Sequence, residues 1–174
     1  DYARASFTPG RSAYGAAFDL MSRIRADFTF DSKATTVQTP LAKAFTQRAG
    51  VCQDFAHIMI AGLRGLGMPA AYVSGYLRTI PPPGRPRLRG ADASHAWVSV
   101  WCGDGWIGLD PTNGVGVQDD HILVAQGRDY TDVSPIDGIV SSSGSQKLRV
   151  EVDVIPEGEA MPEAAGAEPE AAIA

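Results

Sequence analysis

Cys52, His95 and Asp110 are the residues of this sequence whose types and spacing could together do covalent chemistry. Cys52 falls at the first turn of a segment with helical periodicity. There, unpaired backbone N–H groups and the positive end of the helix dipole stabilise a thiolate, the reactive form of cysteine. Gly50 just before it lets the backbone turn sharply into that helix. The inert reading has frequency on its side, because a free cysteine is more often a small buried hydrophobe than a nucleophile.

The second and third residues come from one hairpin. In 95–101, Ala96, Val98 and Val100 alternate with His95, Trp97, Ser99 and Trp101, so the first set reads as the core face. On the return strand, 106–110, Ile107 and Leu109 match that face, and Trp106, Gly108 and Asp110 match the other. The loop Cys102 to Gly105 pairs Trp101 with Trp106 and sets Asp110 opposite Trp97, one diagonal from His95. Diagonal neighbours lie roughly 7 to 8 Å apart, a span that an imidazole and a carboxylate can bridge. Singly, each residue has a bland reading: His95 as a surface histidine, Asp110-Pro111 as a turn after a strand. Together they describe a nucleophile, a base and an orienter.

The elements that must hold these residues read as follows. Residues 12–27 form a helix with Tyr14, Ala17, Phe18, Met21 and Ile24 on one face. Thr39 is an N-cap and Pro40 the first position of a short helix, 40–48, that Gly50 ends. Residues 51–66 are the central helix, with Phe55, Ile58, Met59, Gly62, Leu63 and Leu66 in one period and Gly67-Met68-Pro69 as its stop. Strands then follow at 70–78, 95–101, 106–110, 121–125 and 147–154, the last alternating Leu148, Val150, Val152 and Val154. The proline- and arginine-rich stretch 79–92 is a loop, with Arg85, Arg87 and Arg89 as solvated charges or contacts for an acidic substrate. Residues 1–155 make one domain, and 156–174, rich in Ala, Glu and Pro, a disordered tail.

Bulk composition narrows the function. The chain of 174 residues, 44% hydrophobic, can fill one core, and a formal charge of -5 argues against nucleic acid as the main partner. Two cysteines are too few for a disulfide scaffold, which points to a reducing compartment and a cytoplasmic setting. No apolar run reaches the roughly 18 to 20 residues that span a bilayer, so no membrane partner is expected. His57 reads as a packing or surface residue, and His121, at a strand start, has no assigned role. Trp97, Trp101 and Trp106 could line an acyl pocket or simply stabilise the hairpin. No thiol and imidazole group has metal-ligand spacing, so neither a metal nor another cofactor is expected.

Gly50-Val51-Cys52-Gln53-Asp54-Phe55-Ala56, Asp92-Ala93-Ser94-His95-Ala96-Trp97-Val98 and Trp106-Ile107-Gly108-Leu109-Asp110-Pro111-Thr112-Asn113 resemble the three catalytic motifs of the transglutaminase-like superfamily, in order. The resemblance runs from about residue 11 to 155. It implies a papain-like α+β fold with the nucleophile helix packed on an antiparallel sheet, with Cys52 as nucleophile, His95 as base and acid, and Asp110 as orienter. Many bacterial relatives place a β-rich domain ahead of this core. Gln53 stands where animal transglutaminases have Trp, which separates the chain from the protein-crosslinking enzymes. The implied activity is acyl transfer on peptide or protein amides through a thioester. A cysteine protease or amidase with the same triad, and a non-catalytic peptide-binding module, are the alternatives. The Cys52 N–H is the first oxyanion donor and Gln47 a weak candidate for the second.

Overall fold

The computed structural model describes residues 1–84, 90, 92–134, 144 and 150–159. The chain is α+β. Three helices come first, α1 (Ala13–Asp27), α2 (Leu41–Gln47) and α3 (Cys52–Arg64). Two short strands, β1 (Thr29–Phe30) and β2 (Ala49–Gly50), pair in parallel between them. The sheet follows, built from β3 (Ala70–Leu77), β4 (Ala93–Trp101), β5 (Trp106–Asp110), β6 (Val115–Gly116) and β7 (His121–Gly127). Its order is β6-β5-β4-β3-β7, antiparallel throughout. Among the described residues no helix is long and apolar enough to cross a membrane.

The core lies between the helices and one face of the sheet. Leu20, Met21 and Ile24 of α1 and Phe55, Met59 and Leu63 of α3 pack with Tyr72, Ala96, Val98, Val100 and Leu109 from the strands. Each Leu, Ile, Val, Met or Phe among them, taken fully out of water, stabilises the fold by about 1.5 to 3 kcal/mol before chain entropy is counted. α1 starts where the Ser12 hydroxyl accepts from the Gly15 N–H. Its inward stripe is Ala16, Ala17, Leu20, Met21 and Ile24. Tyr14 and Phe18, expected on that face, instead lie at its margin, largely exposed, and touch each other with centroids 5.9 Å apart.

α2 begins one residue later than its sequence suggests. Pro40 is the N-cap, and the Thr39 hydroxyl accepts from the Thr36 N–H, folding the preceding loop rather than capping the helix. Arg48, at φ 57°, ends α2 in the left-handed region, before Gly50 is reached. α3 stops as expected: the Met68 N–H closes on the Leu63 carbonyl and Gly67 takes φ 82°.

The hairpin β4–β5 has the expected register, Trp101 opposite Trp106 and Val98 opposite Leu109. The second face of β4 is also buried, because the chain after β5 folds back over it. Val117 lies over Gly108, and His121 meets the Trp97 ring edge to face. His95, Trp97 and Ser99 are therefore buried as well as the core face. Residues 150–154 do not form the expected strand. They are tied to the start of β4 by Asp92, whose N–H donates to the Val152 carbonyl and whose carboxylate accepts from the Val154 N–H. The rest of that strand (147–149), the loop residues Arg85, Arg87 and Arg89, and the tail beyond 159 lie outside the described residues.

Candidate active site

Cys52 is the first residue of α3, so its N–H points out of the helix end with no partner earlier in the helix. The turn that delivers it is built by Asp54, whose carboxylate accepts from the Val51 N–H at 2.8 Å and from the Thr35 hydroxyl at 2.6 Å. Asp54 thus acts by direct bonds, beyond the favourable dipole its position implies. Gln47 donates its amide to the Ala34 and Ala49 carbonyls, at 3.3 and 2.8 Å. It braces the backbone before Cys52 and is spent as an oxyanion donor.

His95 and Asp110 meet across the hairpin, as their diagonal register permits: His95 Nε2 lies 2.8 Å from Asp110 Oδ2. Cys52 lies near enough to the same ring for its charge to be felt there. With Nε2 engaged by the carboxylate, Nδ1 is the nitrogen left for the sulfur. Burial alone would depress the His95 pKa. The hydrogen bond to Asp110, the nearby Cys52 side chain and the charges of both outweigh it and lift the value to about 9.

Asp110 is the hub of the site and is fully buried. Its Oδ1 accepts from the Thr112 and Asn113 N–H groups at 2.9 and 3.2 Å. Its Oδ2 accepts from the Asn113 amide at 2.6 Å and lies 3.2 Å from His121 Nε2. Burial would push this carboxyl up; the bonds from His121 and His95, the His95 charge and the Asn113 bond prevail and hold it well below the usual carboxylate range.

Three of these residues were not assigned by sequence reasoning. Asn113 had a local signal, since an Asx residue shortly after Asp-Pro can turn back on the carboxylate. Tyr72 is buried on β3, close enough to Cys52 for charge on one to be felt by the other. Burial first, then Cys52, Tyr130 and Asp54, raises its pKa, so it stays a neutral phenol. His121 left no sequence signal. His95, Asp110 and His121 bring three ligand-type atoms within 4.8 Å of one another, and are the described residues that could hold a metal. The separations of 2.8 and 3.2 Å about one carboxylate oxygen are those of hydrogen bonds.

His57 is a packing residue. It stacks on Tyr72 with centroids 4.8 Å apart, donates from Nδ1 to the Gln53 carbonyl and accepts the Tyr130 N–H at Nε2. Trp101 and Trp106 pair with each other, centroids 5.8 Å apart. They sit at the far end of the hairpin from His95, roughly 20 Å along the strand, so they do not line a pocket at the candidate site.

A helix-borne thiol and a hairpin-borne imidazole and carboxylate now meet in one place, and a profile of the transglutaminase-like superfamily matches residues 1–111. The chain belongs to the transglutaminase-like superfamily. An uncharacterised protein of Mycobacterium tuberculosis is 48% identical over 92% of the chain and 54% of its own length. The chain therefore spans about half the length of these curated relatives. A protein-glutamine gamma-glutamyltransferase of Pseudomonas aeruginosa is 32% identical over 63% of the chain and 18% of its own length. Among solved structures, a provisionally named cysteine protease from Cytophaga hutchinsonii superposes with TM-score 0.63 at 32% identity, covering 76% of this chain and 42% of its own. The transglutaminase-like, papain-like fold is thus shared with a neighbour of substantial sequence similarity.

Proposed function

We propose that the chain is a cysteine-dependent acyltransferase acting on peptide or protein amides, with Cys52 as nucleophile, His95 as base and acid, and Asp110 as orienter. The observation that carries this reading is that His95 Nε2 bonds the buried Asp110 carboxylate at 2.8 Å while Cys52, at the head of α3, lies near enough to the same ring for its charge to raise the His95 pKa. A ring held this way is placed to take and return a proton as the Cys52 sulfur attacks and leaves.

In the first half-reaction the Cys52 sulfur attacks the amide carbonyl carbon. The oxyanion that forms is met by the Cys52 N–H, the C–N bond breaks, and the proton on His95 goes to the departing amine. A thioester remains. An acceptor amine or water then attacks it, His95 takes the acceptor's proton, and the thiolate leaves. Asp110, held ionised by its donors, stabilises the imidazolium and fixes the ring tautomer. Hydrolysis rather than aminolysis is a second reading, favoured by the similarity to the Cytophaga neighbour. Both need a reduced thiol. Cys52 and Cys102 are both free, which supports work in a reducing compartment such as the cytoplasm.

The test is alkylation of Cys52 by iodoacetamide between pH 5 and 9, read by peptide mapping, followed by amine incorporation and peptide cleavage on one substrate panel. Cys102, whose thiol burial pushes up, is the internal control. Fast alkylation of Cys52 at pH 6 that is lost in His95→Ala is the expected result. If Cys52 reacts no faster than Cys102, the acyltransfer reading fails and peptide binding without turnover takes its place.

A further inference from the structure

The strand β7 carries a bulge whose effect falls on the active site. Tyr72, Val73 and Ser74 of β3 pair with Gly127, Gln126 and Ala125, but Gly75, Tyr76 and Leu77 pair with Leu123, Ile122 and His121. Val124 is the extra residue. Because side chains alternate along a strand, one inserted residue moves everything beyond it to the opposite face. In an unbulged ladder His121 would stand opposite Arg78, on the face of Ser74 and Tyr76. With the bulge it stands opposite Leu77, on the face of Gly75, which lies beside His95. Gly75 makes room for the approach: a Cβ there would run into the Ile122 carbonyl and come within 2.5 Å of the Trp97 ring.

His121 is held where this delivers it. Its backbone N–H closes a turn onto the Gln118 carbonyl, and its Nδ1 accepts the Gln118 N–H at 3.3 Å. The Trp97 ring meets it edge to face at 5.3 Å. A neutral imidazole that accepts at Nδ1 carries its proton on Nε2. That nitrogen is 3.2 Å from Asp110 Oδ2, the same oxygen that binds His95, and the His121 side chain is 5% exposed.

We infer that His121 is a positioning residue for the acyl-transfer centre: its Nε2–H pins the Asp110 carboxylate so that Oδ2 stays aimed at His95. The inference rests on the proposed function, since it assigns His121 a part in arming Cys52. Without His121, Asp110 loses a donor in a buried site and is free to rotate toward its remaining partners, and the His95 ring loses its fixed direction. Bulges next to active sites commonly re-aim one side chain, and here the side chain re-aimed is this imidazole.

The experiment compares Cys52 alkylation at pH 7 in the full chain with His121→Leu, His121→Gln and His95→Ala. Glutamine can offer an N–H near the position of Nε2; leucine cannot. The expected result is a fall of about tenfold in His121→Leu, with the glutamine variant restored to within about threefold of the unsubstituted chain. A leucine variant that alkylates like the unsubstituted chain overturns the inference. If the leucine variant does not fold, imidazole nitrogen NMR of the unsubstituted chain decides: a His121 ring protonated at Nε2 supports the inference, and one protonated only at Nδ1 overturns it. A Cys52 rate unchanged by His95→Ala defeats the acyltransfer reading itself, whereas dependence on His95 without dependence on His121 defeats only this inference.

Discussion

Gly50 and Asp54 occupy one small space: a Cβ on Gly50 would stand 2.5 Å from Asp54 Oδ2. The carboxylate that folds the turn before Cys52 fits only because residue 50 has no side chain. Gly50→Ala is expected to displace Asp54 from the Val51 N–H and the Thr35 hydroxyl, costing about 1 to 3 kcal/mol. Urea denaturation measures this, and the Cys52 alkylation rate should fall with it. An unchanged midpoint would mean that Asp54 can swing aside without loss.

The raised pKa of His95 makes stability depend on pH in a stated direction. The native state binds this proton more tightly than the unfolded chain does, so the stabilisation is fully present below pH 6.5 and is lost as pH rises through about 9. It is on the order of 3 kcal/mol. The difference in unfolding free energy between the unsubstituted chain and His95→Gln should be largest near pH 6 and shrink toward pH 10. A difference that does not vary with pH would contradict the ionic pairing.

Asp110 works in the other direction. Its depressed pKa means that its stabilisation is present above the ordinary carboxylate value of 3.8 and fades as pH falls toward its native value. Asp110→Asn keeps the shape but brings an N–H2 group into a site of donors. It is expected to slow Cys52 alkylation at pH 7 by about a hundredfold and to shrink the stability gap to the unsubstituted chain only under acid. Pulse alkylation and acid unfolding followed by circular dichroism check the two halves separately.

Trp101 and Trp106 serve the hairpin tip. Trp106→Ala is expected to cost about 0.5 to 1.5 kcal/mol in pairing, beyond the apolar area lost, and to leave the Cys52 alkylation rate unchanged. Loss of reactivity without loss of stability would return these rings to the substrate pocket.

What could be read from the residues, and what could not, divides along physical lines. The relation of His95 to Asp110 was legible because a short loop fixes hairpin register, and register fixes which side chains are diagonal. The place of Cys52 was legible because helix α3 has a clear period and a glycine before it. His121 was not legible: the bulge at Val124 reverses its face, and neither Val124 nor its neighbours differ from an unbroken strand. In α1 the apolar stripe is wider than the buried one. Only the packing partners decide that Leu20 turns inward and Tyr14 outward. Val150, Val152 and Val154 alternate like a strand, but the described part of that segment is secured by the Asp92 carboxylate rather than by a ladder, which no periodicity reveals.

The hairpin that joins His95 to Asp110 closes between residues 15 apart in sequence, whereas Cys52 arrives on a helix that must dock from across the core. Local closure precedes docking when chain entropy sets the order of assembly. The imidazole and carboxylate are therefore expected to meet while the thiol is still remote, so that on the proposed reading the nucleophile is armed last. On that reading a nascent chain carries a cysteine without its base, and acyl transfer waits for the folded one.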